Sequence, residues 1–139
     1  MNYKSLTEFL PRLQFSYYGE WNIDKENDGS AEHPIHMPYA DYNNIVKKFI
    51  DAVYHFIDIH KELELSNYVG ILENAGLKWN TSDMKDADVS ELNGQTVMAL
   101  IVGAIRAERF CDGALLGFFE DRCIERWLLR LREIDNSQN

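Results

Sequence analysis

The densest chemistry in this 139-residue chain lies in its arginines. Arg122, Arg126 and Arg130 recur at i, i+4 and i+8, which places them on one stripe of a helix, and Arg106 and Arg109 precede them by one element. Like charges at that spacing oppose one another by about a few tenths of a kcal/mol per pair, so something must face them. Two answers are open. Glu125 and Glu133, each at i+3 from an arginine, can pair within the chain together with acidic groups elsewhere. Alternatively the five guanidiniums form a site for an anionic ligand or an acidic partner, because the guanidinium fork matches carboxylate and phosphate geometry.

The block Arg109-Phe110-Cys111-Asp112-Gly113 is the second candidate. Read as structure, Phe110 plugs the corner between two helices, Asp112 caps the next helix and Gly113 permits a tight turn. Arg106 or Arg109 then pairs with Asp112 or with the free carbonyls of a helix end. Read as chemistry, Cys111 is a nucleophile activated by flanking arginines and a helix N-terminus. No histidine stands near it in sequence, and burial beside Phe110 would raise the thiol pKa, so catalysis is not expected.

Metal binding has two weak candidates. Asp24-Lys25-Glu26-Asn27-Asp28-Gly29-Ser30-Ala31-Glu32 imitates the first half of a calcium loop, but position 12 is Ile35 and Pro34 blocks the exit helix. An acidic turn is the plainer reading of Asp24 and Asp28. His33 and His36 flank Ile35 between prolines, and His55 and His60 lie on or near a long helix, without the spacing or third ligand of a zinc hydrolase. No glycine-rich phosphate loop, nucleophile elbow or paired catalytic carboxylates occur. Neither a metal nor a cofactor is expected.

Positioning these groups requires a mainly helical chain. Ser5-Leu6-Thr7-Glu8 matches a capping box and starts a short helix, which Pro11 disrupts or ends. Leu13 to Tyr17 and Trp21 to Asp24 alternate apolar and polar residues, so residues 13–24 form a small hairpin or an ordered irregular loop. Pro34 and Pro38 hold the chain extended to Tyr39. From about Asp41 to Lys61, Tyr42, Ile45, Val46, Phe49, Ile50, Val53, Tyr54 and Ile57 mark one buried helical face. A second helix covers about Ser66 to Ala75, with Gly76 at a left-handed cap and Leu77 packing back. Lys78–Val89 reads as an exposed acidic connection holding at most one helical turn. Val97–Ile105 is apolar on every side, as a central helix is. A helix capped by Asp112 runs to about Asp121. The last, about Cys123–Glu133, carries Ile124, Trp127, Leu128, Leu131 and Ile134 on one stripe.

The expected fold is therefore a bundle of about five to six helices around a central apolar helix, in one domain of residues 1–139. Residues 1–40 supply the short helix, β element and loop, 41–134 the helical core and 135–139 a tail.

Charge narrows the partners. The net charge is −9, with 8 basic and 16 acidic side chains in residues 1–100 but 6 and 7 in residues 101–139. Such acidity repels nucleic acid and anionic membranes at long range. The Val97–Arg132 passage resembles a helix–turn–helix unit in spacing, but Leu115, Leu116, Phe118 and Phe119 make its middle helix too apolar for a groove. No apolar run approaches the ~20 residues that span a bilayer, and no apolar signal region follows Met1. Cys111 and Cys123 are read as reduced thiols in a cytoplasmic protein.

The block Ile105-Arg106-Ala107-Glu108-Arg109-Phe110-Cys111-Asp112-Gly113, followed by Ala114-Leu115-Leu116 and closed by Leu128-Leu129-Arg130-Leu131-Arg132, resembles an uncharacterised family of small bacterial and phage-associated proteins. The resemblance runs from about Pro38 to Ile134. It implies one domain in a bacterial cytoplasm and no activity. Three functions remain. The first is a non-enzymatic protein-interaction domain, binding another protein or a second copy of itself through aromatic residues such as Trp21, with Tyr17, Tyr18, Tyr39 and Tyr42 nearby. The second is a small enzyme or anion-binding protein built on the arginines. The third is an acidic mimic of nucleic acid, using Asp83, Asp86, Asp88 and Glu91.

Overall fold

The computed structural model describes residues 1–13, 18–22, 29–31 and 39–137. Two short helices, α1 (Lys4–Thr7) and α2 (Leu10–Leu13), open the chain. The capping box does not form. Helix α1 starts one residue early, after Tyr3, whose side chain makes no cap bond; the Lys4 amide donates to Asn2 Oδ1 at 3.1 Å. The Tyr3 amide donates instead to Asp135 Oδ2 at 2.9 Å, so the start of the chain is tied to its last helix. Pro11 interrupts as expected, and it fits α2 because a first-turn N–H has no intrahelical acceptor to lose.

The β element is real but pairs differently from a 13–24 hairpin. Strand β1 (Gly19–Asn22) runs antiparallel to β2 (Tyr39–Tyr42), with Trp21 opposite Ala40 and Gly19 opposite Tyr42. Leu13 is helical and buried, while residues 14–17 and 23–24 lie outside the described residues. Because strand side chains alternate, Trp21, Ala40 and Tyr42 share one face and Tyr39 and Asp41 take the other.

The long helix consequently begins later than its periodicity suggests. Tyr42 belongs to the strand, and α3 (Asn44–Ile59) is capped by Asn43, whose Oδ1 accepts from the amides of Ile45 and Val46 at 3.1 and 3.3 Å. Val46, Phe49, Val53 and Phe56 form its buried stripe. Two 3₁₀ turns, Lys61–Leu63 and Leu65–Asn67, lead into α4 (Tyr68–Asn74). Gly76, at φ +79°, ends it in a Schellman motif: Leu77 N–H donates to Leu72 O and Gly76 N–H to Glu73 O.

The 78–89 connection carries more structure than an exposed acidic link. Asn80 caps α5 (Thr81–Asp86), Met84 is buried, and Trp79 Nε1 donates to Gly103 O at 3.0 Å. Helix α6 (Gly94–Ala107) is the central element, buried continuously from Thr96 to Ile105. Removing each of its large aliphatic side chains from water contributes roughly 1.5–3 kcal/mol. Helices α4, α7 (Ala114–Glu120) and α8 (Cys123–Ser137) pack on it.

Helix α8 buries Ile124, Trp127, Leu128 and Leu131. It extends through Asp135 to Ser137, so residues 135–137 are helix rather than tail. The architecture is thus mainly helical with one small two-stranded sheet near the N-terminus. Among the described residues, no helix is long and apolar enough to cross a membrane.

Candidate functional site

The corner between α6 and α7 is built by Glu108, whose role no motif in the sequence signals. As the last turn of α6 ends, the Glu108 carboxylate turns toward the start of α7. It accepts from the Gly113 amide at 3.0 and 3.1 Å and from the Leu115 amide at 3.0 Å. Tyr42 closes the same network. Its hydroxyl donates to Glu108 Oε1 at 2.7 Å and accepts from the Leu116 amide at 2.9 Å. Burial, and then the neighbouring Glu108 carboxylate, push the Tyr42 hydroxyl far above the usual phenol range. Asp112 is exposed and does not cap α7; the N-cap position is Gly113, and no side chain of its own serves there. The cap comes from the preceding helix, which is why a search for Asp or Ser just before the helix misses it.

Gly113 does make the tight turn. Its φ is +88°, a left-handed value that glycine adopts without a Cβ penalty. The Trp21 ring also occupies the space that a Cβ on Gly113 would need. The Trp21/Tyr42 face of the sheet is therefore laid on this corner, by ring contact at one residue and by hydrogen bonds at the other. Trp21 remains 47% exposed. Tyr39, from the opposite face, is 52% exposed. Tyr18 is tied inward, its hydroxyl donating to Leu13 O at 2.6 Å and its ring lying 5.2 Å from that of Phe119. Tyr17 lies outside the described residues.

Phe110 is the largest departure from expectation. It does not plug the corner. It projects from it, 77% exposed, the most exposed large apolar side chain among the described residues. One ring edge rests on Trp79, with centroids 5.5 Å apart, and Trp79 in turn meets Tyr68 at 5.3 Å. Beside Phe110 runs a groove of about 280 Å³, walled mainly by Trp79, Met84, Ala107, Ala114 and Phe118, with Thr81 and Cys111 among its lining residues. Cys111 is exposed and Cys123 buried, and the two are not bonded to each other. Burial pushes the Cys123 thiol up. Among the described residues, no histidine hydrogen-bonds to Cys111.

The arginines are dispersed, and Arg106, Arg122, Arg126 and Arg130 each have a partner within the chain. Arg106 lies over the Tyr54 ring on α3, 5.5 Å from its centroid. Arg109 is exposed at the corner. Arg122 is not on the stripe at all: it occupies the turn before α8 in a left-handed conformation, φ +64°, and pairs with Glu125 at 3.1 Å. Arg126 Nη2 donates to Lys85 O at 2.7 Å, and Arg130 Nε to Leu92 O at 3.1 Å. Arg130 also pairs with Glu133 at 3.3 Å. A carbonyl in the last turn of α5 and one in the α5–α6 connection thus receive two of the guanidiniums. The shallow cleft between them, about 360 Å³, also includes Asp88 and Glu133 and is mixed in charge.

The acidic residues are similarly employed. The Asp88 carboxylate accepts from the Ser90 amide, which holds it below the usual range, while Asp86 and Glu91 are exposed and Asp83 half-buried. A polar cleft of about 460 Å³ lies between α4 and the start of α6, and two of its amide side chains serve the fold. Asn93 caps Thr96 and Gln95 donates to Leu63 O. Asp24, Asp28, His33 and His36 lie outside the described residues; among the described residues, no three His, Cys, Asp or Glu groups converge as metal ligands would.

The chain belongs to a family of unknown function, DUF6508, whose profile matches residues 1–137. The match reaches beyond the 38–134 segment that carries the resemblance in sequence and takes in both strands. No curated protein matches the chain, and neither does any solved structure.

Proposed function

Starting from membership of a family without an assigned activity, we propose that this chain is a non-enzymatic protein-interaction domain, working through the α6–α7 corner. One observation carries the reading: a phenylalanine 77% exposed on the rim of an apolar groove. Leaving such a ring in water forgoes roughly 1.5–3 kcal/mol of burial, and isolated large apolar groups beside a cleft are what interface anchors look like before a partner arrives. The corner is also rigid. Glu108, Tyr42 and Gly113 fix its backbone, and a preorganised anchor loses little entropy on binding. Trp21 sits on the same corner and extends the aromatic surface beyond Phe110. The setting that fits this reading is the cytoplasm of a bacterium, in keeping with the resemblance of the Arg106–Gly113 block.

The arginine set supports an anionic ligand less well, since Arg126 and Arg130 are directed to carbonyls and Arg106 to a ring. Phosphate mimicry likewise has no support beyond charge.

Site-specific replacement of Phe110 by a photoreactive phenylalanine analogue tests the proposal in cells. A covalent protein adduct is expected on irradiation, whereas the same analogue at exposed Lys48 on α3 gives none. Equal yields at both positions, or none at Phe110, would overturn the corner as an interaction surface.

A further inference from the structure

We infer that the partner seated on this corner is a second copy of the chain, in an isologous contact where each Phe110 enters the other copy's groove. This rests on the corner being an interaction surface at all. A two-fold dimer needs a patch that is complementary to itself, so that residue i meets j while j meets i. The corner meets that requirement in shape. The knob, Phe110, forms one rim of the hole, whose lining also includes Trp79, Thr81, Ala107 and Ala114, so knob and hole share one surface, and the groove's roughly 280 Å³ suits an aromatic ring. Trp79, half-buried at the hole, offers an incoming phenyl an edge-to-face contact.

Charge points the same way. Two copies of a chain at −9 repel, and the repulsion is least where the acidic excess is smallest. Residues 101–139, which supply Phe110 and the α6–α7 side of the groove, carry 6 basic and 7 acidic groups against 8 and 16 in the rest. At the corner itself, exposed Arg109 and Asp112 bracket Phe110 and Cys111 with opposite signs. A two-fold axis lying between Phe110 and the groove sets this mixed-sign edge of one copy against the same edge of the other, where cation and carboxylate can pair. A heterologous acidic or basic partner would call for one sign of charge around the knob, and the corner presents both.

Sedimentation velocity over a concentration series tests this with the full chain. The wild type is expected to show a reversible monomer–dimer equilibrium. Phe110→Ser removes the knob and Thr81→Arg obstructs the hole from an exposed position, and each weakens dimerisation at least about tenfold without altering the circular dichroism spectrum. Mixed together, the two variants regain one knob-in-hole contact on the walls that Trp79, Ala107 and Ala114 still supply, so the heterodimer is tighter than either variant's homodimer. A bismaleimide linker joins Cys111 to Cys111 in the wild type, and Cys111→Ser abolishes the product.

A wild type that stays monomeric up to about a millimolar overturns the second copy as partner. In that case a Phe110 photo-adduct to a different protein leaves the corner standing as an interaction surface. A dimer indifferent to both Phe110→Ser and Thr81→Arg overturns the inference too, and shows that any self-contact lies elsewhere.

Discussion

Replacing Glu108 by alanine should lower the melting temperature by about 10 °C, and the arithmetic comes from its hydrogen bonds. The carboxylate accepts from two amides at the start of α7 and from the Tyr42 hydroxyl. Losing a helix cap costs about 1–2 kcal/mol. A hydrogen bond to a charged group contributes about 1.5 kcal/mol, and its loss leaves the half-buried Tyr42 donor without that acceptor. Together these come to about 3 kcal/mol. With an unfolding entropy of about 2.1 cal/mol/K per residue, the whole chain has about 0.3 kcal/mol/K, and the ratio gives the shift. Asp112→Ala is the control: that side chain is exposed and caps nothing, so its effect stays within about 0.5 kcal/mol. Scanning calorimetry of the two variants, with Tyr42→Phe and the Tyr42/Glu108 double variant completing a cycle, is the assay. The cycle should show a coupling of about 1 kcal/mol, because either single change already breaks the shared bond. A Glu108→Ala shift no larger than that of Asp112→Ala would refute the reasoning, since the corner would then be held by something other than this carboxylate.

Three further outcomes follow from the same geometry. Gly113→Ala forces a Cβ into a left-handed turn and against the Trp21 ring, and should destabilise by about 2 kcal/mol or more in urea denaturation; in a Trp21→Ala background the penalty shrinks to the roughly 1 kcal/mol of backbone strain. Alkaline stability should depend on Tyr42. Its hydroxyl pKa is raised on folding above the ordinary value of 10.0, so the unfolded chain binds fewer protons above that pH and stability falls as pH rises through and beyond it. Melting temperatures compared between about pH 9 and 11 should therefore decline less steeply for Tyr42→Phe than for wild type. Arg130→Met severs a bond to the Leu92 carbonyl and should cost about 1 kcal/mol in chemical denaturation while leaving the Phe110 photo-adduct unchanged; loss of the adduct with unchanged stability would return the arginines to the binding surface.

Much of the architecture was legible along the chain, for physical reasons that act locally. An unbroken apolar run from Val97 to Ile105 has no polar face to turn outward, so it had to be the central helix, and it is. Gly76 followed by Leu77 announced a left-handed cap because the motif is completed within six residues. The ion pairs of Arg122 with Glu125 and of Arg130 with Glu133 follow from i+3 spacing. What required the folded chain is whatever depends on residues distant in sequence. Tyr42 fits a helical stripe by count, yet pairing with Gly19 makes it a strand residue, and the strand delivers its hydroxyl to Glu108, 66 positions away. Asp112 stood at the expected cap position, but Glu108 reached the helix start first from the preceding turn. Whether Phe110 faced the core or solvent was equally undetermined by its neighbours in sequence. A phenylalanine at a helix corner satisfies either environment locally, and only the placement of Trp79 and α5 beneath one edge of the ring left the rest of it exposed.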